Sequence, residues 1–188
     1  SDIGYEMYPK ILDEAMQELK SDEFSELYSE EETQSGSVDC QIETDFEIML
    51  PDDYVTNISE RLSLYKDLDS AKTEEELQTF KSILEDRFGP LPEPAQQLLQ
   101  VIRLRWKAKA IGFEKLVLKQ EKMVGHFPPQ SKTSYFESKI FGAVLEFIKT
   151  ESHRCRMKET QNKLTLVIDN TNTLQNALKT LQQIINLR

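Results

Sequence analysis

The sequence is poor in the residues that catalysis, metal binding and covalent stapling draw on. Its 188 residues include two cysteines, two histidines and six glycines. Cys40 and Cys155 are far apart and read as small buried hydrophobes of a reducing compartment, which makes a cytoplasmic location the expectation. A disulfide scaffold is excluded. His126 and His153 stand alone, without the clustered ligands that a metal site needs. The glycines, at positions 4, 36, 89, 112, 125 and 142, are too dispersed to cradle a phosphate. No apolar run approaches the roughly 20 residues of a membrane span, and Ser1–Glu6 lacks the basic-then-apolar order of a signal peptide. There is neither a GxSxG elbow nor an HExxH pair. No catalytic, cofactor-binding or metal-binding set is therefore assigned.

Charge, by contrast, is abundant and uneven. The chain carries a net −10. Residues 1–100 hold 26 acidic and 7 basic residues, a balance of −19, while residues 101–188 hold 7 acidic and 16 basic residues, a balance of +9. The acidic half repels nucleic-acid phosphates; the basic half either neutralises it or meets an acidic partner.

Apolar spacing divides the chain into three parts. Tyr8, Ile11, Leu12, Ala15, Met16 and Leu19 recur every three or four residues and predict a helix within residues 1–19. Residues 20–39 are acidic and aperiodic, the composition of a flexible linker about 25 Å long on root-mean-square. Residues 40–188 form the remaining domain. Within it Cys40, Ile42, Thr44, Phe46, Ile48 and Leu50 alternate with polar residues, predicting a half-buried strand over 40–50, antiparallel and suited to an edge.

Three helices follow: about 58–71, with Ile58, Leu62, Tyr65 and Leu68 inward; 73–88, opened by a Thr73/Glu76 capping box and closed by Gly89–Pro90; and about 93–111, with Ala95, Leu98, Leu99, Ile102 and Trp106 inward. In the second of these, Ile83 is placed on the apolar face with Leu77, Phe80, Leu84 and Phe88. Two ββα-like stretches complete the chain. Strands at 116–118 and 123–127 precede a helix at 134–150. Strands at 154–158 and 164–168, joined around Gln161–Asn162, precede a last helix bearing Leu174, Leu178, Leu181, Ile184 and Ile185. The class is α+β, a mostly antiparallel sheet with helices packed on one face.

Some residues invite chemistry without supporting it. Glu74–Glu75–Glu76 is explained by the helix dipole, since consecutive helical residues do not converge on one point. Cys155, if its strand alternates, points away from Arg154 and Arg156, which makes it a structural thiol. Arg103, Arg105, Lys107 and Lys109, continued by Lys115 and Lys119, form the one basic stretch that supports an alternative reading, direct binding of nucleic acid or RNA polymerase.

Leu50-Pro51-Asp52-Asp53-Tyr54, Arg61-Leu62-Ser63-Leu64-Tyr65-Lys66 and Asp86-Arg87-Phe88-Gly89-Pro90-Leu91-Pro92-Glu93-Pro94, with Leu104-Arg105 and Ile111-Gly112 at fitting spacing, resemble the C-terminal (TRCF) domain of bacterial transcription-repair coupling factors. Gly4–Met16 resembles the end of the translocase module of that family. The resemblance implies a regulatory domain without catalysis of its own. Such a domain packs on a UvrB-like module, masks recruitment of UvrA and restrains an ATP-driven DNA translocase that acts on stalled RNA polymerase in nucleotide excision repair. ATP and magnesium then belong to motor domains outside this sequence, and neither cofactor nor membrane is expected here. It also implies that Asp86, and secondarily Glu85, face arginines of the UvrB-like module. A further acid of the family's interface, about three residues before Asp86, is replaced here by Ile83.

Overall fold

The computed structural model describes residues 39–188. The expected helix at 5–19, and the expected linker up to residue 38, lie outside them. Two compact units divide the described chain, residues 47–99 and residues 39–46 with 100–188.

The first unit is helical. α1 (Ile58–Asp69) starts at Asn57, whose side-chain oxygen accepts from the Glu60 amide at 2.9 Å. It buries Leu64, Tyr65 and Leu68. Ile58, expected inward, is 65% exposed, because the buried stripe begins one turn further on. α2 (Glu74–Phe88) is capped by Thr73, whose hydroxyl accepts from the Glu76 amide at 3.2 Å. The reciprocal half of the expected capping box is shifted by one residue: the Glu76 carboxylate accepts from the Lys72 amide at 2.7 Å, not from Thr73. Gly89 ends α2 at φ 89°, a conformation that costs glycine little. α3 (Glu93–Ile111) begins in this unit, with Ala95, Leu98 and Leu99 buried.

The second unit contains the rest of α3 and a five-stranded sheet ordered β1-β2-β3-β5-β4. The strands are β1 (Gln41–Thr44), β2 (Lys115–Lys119), β3 (Lys122–His126), β4 (Cys155–Thr160) and β5 (Lys163–Ile168). Three pairings are antiparallel, as expected. The β1–β2 pairing is parallel, which corrects the antiparallel expectation. Three helices separate β1 from β2 in the chain, and a long crossover of this kind permits parallel pairing where a tight hairpin does not. β1 is also shorter than the alternation suggested. Ladder pairing stops at Thr44, yet Ile48 and Leu50 are still buried, so the alternation records burial beyond the end of pairing.

Across the sheet, Ile42, Leu116, Gly125, Leu166 and Met157 form one row, and Thr44, Leu118, Met123, Ile168 and Cys155 the next. All of these but Met157 are buried, and they face the helices. The opposite face carries Val117, Val124 and Val167 among charged neighbours.

Two hairpin turns, Gln120–Glu121 and Gln161–Asn162, have both central residues at φ between 51° and 64°, the left-handed geometry that suits the twist of flanking strands. The helix expected over 134–150 is interrupted. α4 is a single turn (Thr133–Phe136), and α5 (Lys139–Thr150) restarts at Ser138, whose hydroxyl accepts from the Phe141 amide. α6 (Leu174–Asn186) is capped by Thr173, whose hydroxyl accepts from the Asn176 amide at 3.0 Å. In α3, Leu104, Ala108 and Ile111 are fully buried, whereas Trp106, expected inward, is half-buried.

Gly112, at φ 102°, ends α3 beneath the ring of Tyr135. A Cβ there would lie 2.3 Å from Tyr135 Cε2. The Tyr135 hydroxyl donates to the Ile111 carbonyl at 2.8 Å, satisfying one of the carbonyls that a helix end leaves open. Phe127 and Phe141 pack around it.

Candidate functional site

The strongest candidate lies in the first unit, on the last turns of α2. Glu85 and Asp86 are both exposed there. Glu85 lies 3.8 Å from Lys81, one turn back on the same helix, a contact of little energetic weight in water. None of the ion pairs among the described residues uses Asp86. Ile83, on the preceding turn, is 47% exposed, which corrects its placement on the buried face. One end of the helix therefore presents two carboxylates and an isolated apolar side chain to solvent.

This helix end is held firmly. The Tyr54 hydroxyl donates to the Gly89 carbonyl at 2.8 Å and lies 3.2 Å from that of Leu84. Its ring packs on Phe88 at 5.7 Å. Burial, reinforced by the nearby Glu85 charge, raises the Tyr54 phenol above its ordinary value, so it stays protonated and able to donate. Arg87 pairs with Glu60 of α1 and lies over the Phe88 ring at 4.9 Å. At the other end of the Leu50–Tyr54 segment, the Leu50 amide donates to the Tyr65 hydroxyl at 2.8 Å, and Arg61 bonds both the Val55 carbonyl and Asp52. The blocks 50–54, 61–66 and 86–94 are thus one bonded assembly. Its outward product is the rigid presentation of Glu85 and Asp86. Tyr54 was missed by sequence reasoning as a supporting residue. Its only signal was membership of the LPDDY block.

The six basic residues of the alternative reading lie in the second unit, and only Lys115 and Lys119 meet at a shared partner. Lys107 reaches Gln182 of α6, and Lys109 pairs with Asp39 at 3.2 Å. Lys115 and Lys119 share the Glu43 carboxylate at 2.9 and 3.9 Å. Arg103 donates to Gln100 at 2.9 Å, and both Arg103 and Arg105 are half-buried. Lys107 thus points to α6, Lys109 to the approach of β1, and Lys115 and Lys119 to the sheet, and the last three have acidic partners.

The thiols are structural. Burial pushes Cys40 up to about 12 and Cys155 up to about 11, far from thiolate reactivity. Among the described residues no group of three or more His, Cys, Asp or Glu side chains is placed to hold a metal, and no helix is long and apolar enough to cross a membrane.

The described residues form an α+β domain with a five-stranded mixed sheet. Residues 44–138 match the model of the TRCF domain, and the chain belongs to that family. It is 41% identical over 114 residues to the transcription-repair-coupling factor of Escherichia coli (strain K12), a match covering 61% of this chain and 10% of that protein. It is 25% identical over 166 residues to that of Rickettsia conorii (strain ATCC VR-613 / Malish 7), covering 88% of this chain and 13% of the relative. The chain therefore spans about a tenth of the length of these relatives. Its fold resembles the crystal structure of a C-terminal domain of transcription-repair coupling factor, with a TM-score of 0.61 over 81% of this chain and 97% of that one, at 17% identity.

Proposed function

We propose that this chain is a non-catalytic regulatory domain of a transcription-repair coupling factor. In this reading it packs on a UvrB-like module of the same protein, masks the surface that recruits UvrA, and restrains a DNA translocase that acts on RNA polymerase. The observation that carries the reading is the pinned end of α2, where Glu85 and Asp86 stand exposed beside Ile83. Rigid carboxylates lose little entropy on pairing with arginines of a partner, and their contribution weakens with salt, as a releasable clamp requires.

Binding of the 188-residue chain to the isolated UvrB-like module, across a salt series and up to millimolar concentration, tests it. The expected result is salt-sensitive binding that Asp86→Ala weakens. Absence of binding at every concentration, with retention of single-stranded DNA, would replace it with the basic-residue reading built on Arg103, Arg105, Lys107, Lys109, Lys115 and Lys119.

A further inference from the structure

A cleft of about 400 Å³ opens in the second unit where β2 begins, β3 ends and β5 begins. Its volume is that of a small-ligand site. Three sequence-distant segments build it, and its two sides differ in chemistry. Lys115, His126 and Lys163 supply the polar side, and Phe127, Pro129 and Leu164 the apolar one.

The polar side is not fully committed. Lys115 pairs with Glu43. Lys163 has no ion-pair partner among the described residues, and the His126 ring has no hydrogen-bond partner there either. Glu114, also on the lining, is the one acid of the cleft itself.

From this geometry we propose that the cleft binds a carboxylate carried on a short apolar or aromatic body, the acid between Lys163 and His126 and the body against Phe127, Pro129 and Leu164. A phosphate alone leaves the apolar side unused, and a neutral apolar molecule leaves Lys163 unpaired. The same chemistry arises from the C-terminus of a peptide ending in an aromatic residue or from a free aromatic acid. The inference does not depend on the α2 interface.

His126 provides the readout. Burial holds its imidazole below the ordinary histidine value, and Lys115 and Lys163 add to this while Glu43 opposes it. Glu114 is the remaining charged group on the lining. A bound carboxylate adds a negative charge and raises the titration midpoint of His126 by about one pH unit. The chain has a single other histidine, the exposed His153, which serves as an internal control.

The experiment is imidazole NMR on the 188-residue chain, with His126→Gln to assign the signals. The probes are N-acetylphenylalanine, its uncharged amide, phenylpropionate and inorganic phosphate. The expected result is a dissociation constant on the order of 1 mM for at least one of the two aromatic acids, set by their size. It comes with a raised His126 midpoint, an unmoved His153, and at least a threefold loss of affinity in Lys163→Gln. Response to N-acetylphenylalanine alone points to a chain end, and response to phenylpropionate alone to a free acid. Equal binding of the amide, an equal response to phosphate, or no response of His126 up to 20 mM probe, about twentyfold above the expected constant, overturns the proposal.

Discussion

The Tyr54 hydroxyl and the Gly89 carbonyl, 35 residues apart in sequence, are joined by a 2.8 Å hydrogen bond that closes the C-terminal end of α2. The bond ties the start of the first unit to the end of the helix that displays Glu85 and Asp86. Tyr54→Phe keeps the ring contact with Phe88 and removes only the hydroxyl. The expected cost is about 1 kcal/mol, the usual net worth of one such bond. Denaturant unfolding of the two chains side by side measures it, and an unchanged midpoint would show that water replaces the bond without loss.

Two glycines with positive φ respond differently to the same substitution. Gly89→Ala places a Cβ in open space, so its cost is backbone strain alone, about 1–3 kcal/mol at φ 89° and ψ −172°. Gly112→Ala adds a collision with the Tyr135 ring and displaces its hydroxyl from the Ile111 carbonyl. A loss of about 2–4 kcal/mol is expected for the second, combining strain with overpacking. Thermal midpoints in the order wild type, Gly89→Ala, Gly112→Ala are the result to look for; the reverse order would mean that the Tyr135 ring moves aside freely.

The thiols predict a fall in stability at high pH. Both have folded values above the unfolded value of 9, Cys155 at about 11 and Cys40 at about 12. The neutral thiols therefore contribute stability that is fully present below pH 9 and is lost as pH rises through 9 toward the folded values, because the unfolded chain sheds those protons first. Urea midpoints at pH 8 and pH 10 should differ, and Cys40→Ala/Cys155→Ala should reduce the difference. A double variant with an unaltered pH slope would assign the loss to lysines and tyrosines instead.

Ile83 offers a gain-of-binding test of the proposed clamp. It is half-exposed, so Ile83→Glu should change folding stability by no more than about 0.5 kcal/mol. With Glu85 and Asp86 already present, a third carboxylate should tighten binding to a basic partner by about 0.5–1 kcal/mol at low salt and steepen its salt dependence. Isothermal titration against the UvrB-like module reads both; weaker binding would mean that the isoleucine itself fills an apolar pocket of the partner.

Much of this fold is legible from spacing, because caps, glycine stops and alternation are local signals. Thr73, Gly89 and the Gln161–Asn162 turn all stand where the sequence places them. Alternation reports which face a residue occupies but not the direction of the neighbouring strand, and so the parallel partner of β1 was not foreseen. The break at Ser138 was hidden because apolar spacing continues across it from Phe136 to Ile140. Asp86 was singled out only through family resemblance, since an exposed acid on a helix end has no signature of its own. The cleft around His126 was invisible for a different reason: its lining comes from residues 114–115, 126–129 and 161–164, which no short motif links.

The parallel strand also decides where this chain can be cut. Residues 39–46 belong by contact to the unit whose other members begin at residue 100. A shortened chain starting at residue 47 would lose four paired residues and the Glu43 carboxylate that Lys115 and Lys119 share. It would also turn β2, now an interior strand, into an open edge with free amides and carbonyls, the geometry that invites strands of other molecules to add on. A soluble excised second unit therefore requires the upstream strand to be kept, or grafted ahead of residue 100 through a linker in place of α1, α2 and the first turns of α3.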